Sequence, residues 1–229
     1  MQNNTIFLYP NPAFDERHHY GVSRIYRVLS TQYNCNIEIV TLDFLSKYIP
    51  DEDYSQLIII AGGDGTIHKV INTIPEECFK KYKFGIIPAG TANEFAKSLF
   101  IPFSFYKALD IIIKQRKIAY QHIASVNNQY KFATGMLYGI ACRAIQITPV
   151  HAKHYLGQFA YHYGVIDFFL RFYHVQKLSI KNFNANSHSF RTNYLLINNT
   201  SLIGKGLWEN DIKNEDKNLL SLIYLHSKL

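Results

Sequence analysis

The sequence predicts an α/β chain: an open, mainly parallel sheet covered by helices, then a β-rich region. Three observations carry this. Through the first half, aliphatic strands alternate with amphipathic helices. The stretch "LIIIA", residues 57–61, is too uniformly apolar for an exposed edge and belongs in a sheet covered on both faces. Beyond residue 117 most of the chain reads as strands separated by polar turns.

In order, "TIFLYP" reads as a strand closed by Pro10, and Val22, Ile25, Val28 and Leu29 space one apolar face of a helix. "NIEIVTL" reads as a strand and "DFLSKYI" as a short helix capped by Asp43. "LIIIA" leads to a helix over Thr66 to Ile74, stopped by Pro75. "FGIIP" and "NEFAKSLF" repeat the strand–helix step. "KIAYQHIASV" and "YKFATGMLYG", around "NNQ", predict a hairpin. "YLGQFAYHYGVIDFFLRFY" predicts one long helix whose aromatics recur at core spacing. "KLSIKNF", "FRTNYLLINN" and "LLSLIYL" close the chain as strands. The expected domains are 1–117 and 118–229.

A formal charge of +7 and a pI near 9.2 favour anionic partners. The lysines and arginines are dispersed, with no run of five, which argues against nucleic acid. Three separated cysteines without a CxxC pair fit a reduced cytoplasmic protein, neither a disulfide scaffold nor a zinc ribbon. His151, His154 and His162 lack a fourth ligand for zinc. The N-terminus has no basic region before its short apolar run, and "GVIDFFLRFY" is interrupted by Asp167 and Arg171. A membrane would be met peripherally, from the cytosolic side.

The chemistry concentrates after "LIIIA", where Gly62, Gly63, Asp64, Gly65 and Thr66 lead straight into a helix with Ile67 and His68. Glycines permit positive φ and close backbone approach, and their amides with those of a helix start make a cup for phosphoryl oxygens. Thr66 is the expected helix cap. Asp64 would repel phosphate unless a cation such as Mg²⁺, or a proton to be abstracted, lies between them. Neither common glycine loop fits: Ile67-His68 stand where a P-loop needs Lys-Ser/Thr, and His68 stands where GxGxxG needs glycine. "FGIIPAGTANEFA" repeats the pattern with Gly90 and Thr91, then Asn93 and Glu94 at the helix start. Asn93 reads equally as a helix cap or a ligand contact. Two such loops at the carboxyl ends of neighbouring strands lie where open α/β sheets bind ligands.

"GGDGTI" followed by "IIPAGTANEFAKSL" resembles the diacylglycerol-kinase-type lipid kinases, relatives of sphingosine kinases and more distantly of NAD kinases. "YPNP", Thr41, "IPFSFYKALDIII", "LGQFAY", "LLINN" and "LLSLI" extend the resemblance along most of the chain. It implies a Rossmann-like nucleotide domain, then a β-sandwich that is shortened at its C-terminus, and transfer of the γ-phosphoryl of ATP to a lipid hydroxyl with Mg²⁺. Carried over, Gly62 to His68, Thr41, Thr91, Gly90, Asn93 and Glu94 would hold the nucleotide and Asn11 would lie by the adenine. Asp64 would organise the metal and serve as the catalytic residue. "NPAFDERHHY" departs from the family's first loop, Arg143 stands where an acid is expected, and Lys217, Asn218 and Ser221 replace the polar positions of a structural Mg²⁺ segment. These departures frame an alternative, a nucleotide-binding module without transfer. Strands left without partners predict association with a second copy.

Overall fold

The computed structural model of the chain describes residues 5–11, 21–51, 55–114, 118–139, 142, 176–181, 187–192, 194–200 and 221–224. The first glycine-poor loop, the long aromatic helix, the histidine trio, Arg143, Lys217 and Asn218 lie outside them. The chain divides into two compact units, the first running to Ala133 and the second starting at Thr134.

In the first unit four strands, β1 (Thr5–Pro10), β2 (Asn36–Ile39), β3 (Gln56–Gly62) and β4 (Tyr82–Pro88), form one parallel sheet in the order β2-β1-β3-β4. Alternate side chains of a strand leave opposite faces, so a two-sided core needs apolar residues at every position. β1 and β3 supply them. Phe7, Tyr9, Ile58 and Ile60 join one core, and Ile6, Leu8, Ile59 and Ala61 the other.

Helices cover both faces. On the first lie α2 (Leu42–Lys47), α3 (Asp64–Thr73) and α4 (Glu94–Ser98), through Leu45, Ile67, Val70, Ile71 and Phe95. On the second lie α1 (Gly21–Gln32) and α5 (Phe105–Lys114), through Ile25, Val28, Leu29, Phe105 and Leu109. α5 went unread in the sequence, although Phe105, Ala108, Leu109 and Ile112 carry a helical face. A 3-10 turn over Glu76–Lys81, also unread, follows Pro75.

Two helix starts differ from expectation. α2 is capped by Thr41, whose Oγ1 accepts from the Phe44 amide at 3.2 Å, while Asp43 sits in the first turn and pairs with Lys47 at 2.7 Å. α3 begins at Asp64 with Gly63 as its cap position, two residues before the expected start.

The expected hairpin forms as β5 (Ala124–Val126) and β6 (Tyr130–Phe132). Asn127 and Asn128 both take φ of 54°, the left-handed values a tight hairpin turn requires. "YKFATGMLYG" is two strands and not one. β6 pairs with β5, whereas β7 (Gly135–Gly139) pairs with a strand far along the chain, so the intervening residues break the ladder.

The second unit is antiparallel where described. β10 (Tyr194–Asn198) lies between β7 and β11 (Ser221–Tyr224), and β8 (Gln176–Lys181) pairs with β9 (Ser187–Thr192). An α/β chain with a parallel sheet followed by antiparallel strands is thus what the sequence predicted. No helix among the described residues is long and apolar enough to cross a membrane.

Candidate functional site

The four parallel strands deliver four loops to one edge of the sheet: Asn11 after β1, Thr41 after β2, Gly62 to Thr66 after β3, and Gly90 to Glu94 after β4. Strand order reverses between β1 and β3. A ligand crevice opens at such a reversal. Asn11 and the first glycine bend lie at the ends of the two strands where the order reverses. The Asn11 amide donates to Ala61 O at 2.9 Å and its Nδ2 donates to Thr66 Oγ1 at 3.1 Å, tying the two strand ends together.

The first bend leaves its helix start open. Thr66 N and Ile67 N both donate back to Gly63 O, at 2.9 and 3.1 Å. The amides of Asp64 and Gly65 precede these bonds and have no acceptor among the described residues. Together with the partial positive charge of a ten-residue helix they suit a phosphoryl oxygen. Thr66 does not cap α3 as expected: it is buried, two residues inside the helix, with its hydroxyl engaged by Asn11. Ile67 is core, and its backbone serves the turn. His68 is exposed, its Nδ1 3.4 Å from Asn72 Nδ2.

The second bend is closed, and the first closes it. Asp64 Oδ2 accepts from the Glu94 amide at 3.0 Å and Oδ1 from the Phe95 amide at 2.9 Å, so one carboxylate satisfies the start of α4 from thirty residues upstream. Asn93 occupies the cap position of that helix in a left-handed conformation, φ 52°. Its side chain turns instead to its own loop: Oδ1 accepts from the Gly90 amide at 2.8 Å and Nδ2 donates to Gly90 O at 2.7 Å. Asn93 is buried there. Glu94 pairs with Lys97 at 2.7 Å. Thr91 is exposed, and no bond to its hydroxyl is found among the described residues.

The glycines answer to approach, not to φ. Positive φ among the described glycines occurs at Gly21 and Gly139, not in either bend. A Cβ on Gly63 would lie 2.7 Å from Gly90 Cα, and one on Gly90 would lie 2.5 Å from Gly63 Cα. The two backbones therefore touch, and neither position has room for a side chain. A Cβ on Gly62 would lie 2.3 Å from Thr66 Oγ1. Gly65 alone in this bend faces open space, with nothing within 4 Å of an added Cβ.

Thr41 lies one strand away, at the edge of the sheet, and its oxygen serves α2; no acceptor for its hydroxyl is found among the described residues. Asn72 is a residue the sequence reading missed. Its Oδ1 accepts from Lys131 N and its Nδ2 donates to Lys131 O, both at 2.8 Å, fastening the β5–β6 hairpin to α3. Only the fold brings these residues together, 59 positions apart, so no local pattern announced them. Tyr9, buried near the end of β1, has its phenol pKa raised by burial.

The resemblance read from the motifs is borne out by comparison with known proteins. Residues 26–124 match the family model of the diacylglycerol kinase catalytic domain. The chain is 37% identical over 119 residues to a diacylglycerol kinase of Staphylococcus carnosus, covering 51% of this chain and 37% of that protein. It is 38% identical over 112 residues to a diacylglycerol kinase of Staphylococcus haemolyticus, covering 48% and 32%. The matched stretch thus spans about a third of these relatives' length. A solved structure of a candidate diacylglycerol kinase from Bacillus anthracis superposes with TM-score 0.65 at 18% identity, over 98% of this chain and 76% of that one. A second, from the same organism and named a diacylglycerol kinase, gives 0.55 at 20% identity over 89% and 67%. These two speak for the fold.

Proposed function

We propose that this chain, similar over residues 26–124 to the diacylglycerol kinase catalytic domain, takes part in moving the γ-phosphoryl group of ATP to a lipid hydroxyl of the diacylglycerol type. The observation that supports this best is the asymmetry of the two bends. One presents helix-start amides that have no acceptor among the described residues at the switch point of a parallel sheet, and the other holds Thr91 beside it without competing for the same anion. Phosphoryl transfer depends on positioning and charge neutralisation more than on covalent work by the protein, so such a seat is what the reaction needs.

In this reading the Asp64 and Gly65 amides bind phosphoryl oxygens, Thr91 donates from the other side, and Asn11 marks the nucleoside end of the crevice. A Mg²⁺ ion suits the site. It needs only one or two carboxylates, with phosphate and water oxygens completing its shell. Each Asp64 oxygen spends one lone pair on an amide and keeps another. Asp64 would hold the ion, which when bound offsets negative charge on the phosphates. Among the described residues no cluster of three metal-ligating side chains competes for this role. As the general base, Asp64 would need its outer lone pair within reach of the acceptor hydroxyl.

The test is direct. The purified chain is incubated with γ-labelled ATP, Mg²⁺ and mixed micelles containing diacylglycerol, and its melting temperature is read with and without nucleotide. Labelled phospholipid together with a nucleotide-dependent rise supports the proposal. A rise without product assigns the alternative, a binding module. Neither signal removes nucleotide binding altogether.

A further inference from the structure

α4 ends in an unusual way. The Phe100 amide donates to Lys97 O and the Ile101 amide to Ala96 O, both at 2.9 Å, the paired bonds of a Schellman turn. The residue that must be left-handed in that turn is Phe100, at φ 54°. Glycine is the usual occupant because it has no Cβ to clash, and a bulky side chain in this conformation is an outlier. Ile101 satisfies the turn's apolar contact by packing on the core that holds Phe95 and Ala96. Phe100 itself is 86% exposed and belongs to neither core among the described residues. Three residues on, Phe103 is 56% exposed, and Tyr106 follows at 46%. A strained backbone that displays an aromatic ring to water contributes nothing to folding.

The charge around these rings is one-sided. From Phe95 to Lys107 the chain carries Lys97 and Lys107 and no acid. The Arg24 guanidinium stands over the Tyr106 ring, 5.4 Å from its centroid. The neighbouring acids are engaged: Glu94 by Lys97, and Asp110 by Lys114. A depression of about 540 Å³, lined by Tyr33, Pro102, Tyr106, Lys107, Asp110 and Ile111, runs back from the rings along α5. Beside the exposed phenyl rings of this segment the depression offers two phenols, the Lys107 ammonium and an Asp110 carboxylate already paired with Lys114.

We infer that the Phe100–Phe103 turn is a membrane-docking element, with its rings entering the acyl boundary of an anionic bilayer and Lys107 meeting the headgroups. Exposed aromatics beside basic side chains suit that interface, whereas a protein partner would be expected to bring acids of its own into a pocket. The inference deepens the lipid-kinase reading and rests on it for its purpose: the turn follows directly on α4, whose start is gripped by Asp64, so docking would hold the second bend near a lipid acceptor.

The test uses vesicle flotation, which needs no turnover. The chain should float with phosphatidylcholine vesicles containing phosphatidylglycerol, less with phosphatidylcholine alone, and less as salt rises. Phe100→Gly places in the turn the residue its backbone favours, so the melting temperature should hold or rise while vesicle partition falls by roughly tenfold. Adding Phe103→Ser should reduce it further. Undiminished flotation of the double variant overturns the inference. So does a wild-type dimer that Phe100→Gly splits into monomers, since the rings would then belong to an interface between copies. Flotation without any phospholipid product leaves the docking element standing and sinks the kinase. Transfer to a short-chain diacylglycerol in solution, by a chain that ignores vesicles, does the reverse.

Discussion

The bends after β3 and β4 look alike in sequence, each running from a strand through glycine into a helix, yet the fold assigns them opposite parts. After β3 the helix start leaves the Asp64 and Gly65 amides without an acceptor among the described residues. After β4 the corresponding amides, of Glu94 and Phe95, are consumed by the Asp64 carboxylate. One bend leaves its amides open to an anion. The other is already holding one, and that anion belongs to the protein. A strand–glycine–helix pattern therefore identifies a helix start with amides to satisfy, and the partner that satisfies them decides whether it is a ligand site or a joint.

The comparison is most severely broken at the contact between the bends. Gly63→Ala would drive a Cβ to 2.7 Å from Gly90 Cα, where backbone and not a flexible side chain must move. Overpacking of this kind costs about 1–3 kcal/mol, so urea unfolding should show a clear loss of stability and nucleotide should no longer raise the melting temperature. A Gly63→Ala protein equal to wild type in both would mean the bends do not meet.

Asp64→Ala comes next. It removes two charge-assisted bonds to backbone amides and leaves both donors without a partner, a loss of roughly 2 kcal/mol. Amide exchange at Glu94 and Phe95 should quicken. Asp64→Asn should also lose stability, because its amide group sets a donor against a donor at one of the two amides. If either variant abolishes transfer while unfolding and exchange stay unchanged, the carboxylate works only for the ligand and the joint is unnecessary.

Gly65→Ala sharpens the contrast with the smallest effect on the fold. Nothing lies within 4 Å of the added methyl, and alanine is favoured over glycine in a helix by up to about 1 kcal/mol. Stability should hold or rise slightly while nucleotide affinity, read by calorimetry, falls. Unchanged affinity would place the phosphates elsewhere.

Much of the frame was legible because it is local. The uniform apolarity of β3 required cover on both faces, and both cores are there. Val22, Ile25, Val28 and Leu29 spaced α1 correctly, since three of them are buried and Val22 packs against the same core. The site was legible as a set of residues and not as a set of roles. Thr66 and Asp43 were read as caps from their type, but Gly63 and Thr41 hold those places, because a cap is fixed by where the backbone leaves the helix. The glycines suggest positive φ and close approach to a ligand, while what excludes a side chain at Gly63 is the backbone of Gly90, 27 positions on. Asp64 reaching α4 and Asn72 reaching Lys131 depend on tertiary neighbours, and nothing in either segment records the other.

The bare meeting of Gly63 and Gly90 makes the two bends one inheritable module. Lengthening either, or grafting one from a relative without its mate, would put atoms where the opposite backbone already stands. An engineer wishing to retune this seat must exchange both segments together, with Asp64 and Asn93 travelling as their fasteners.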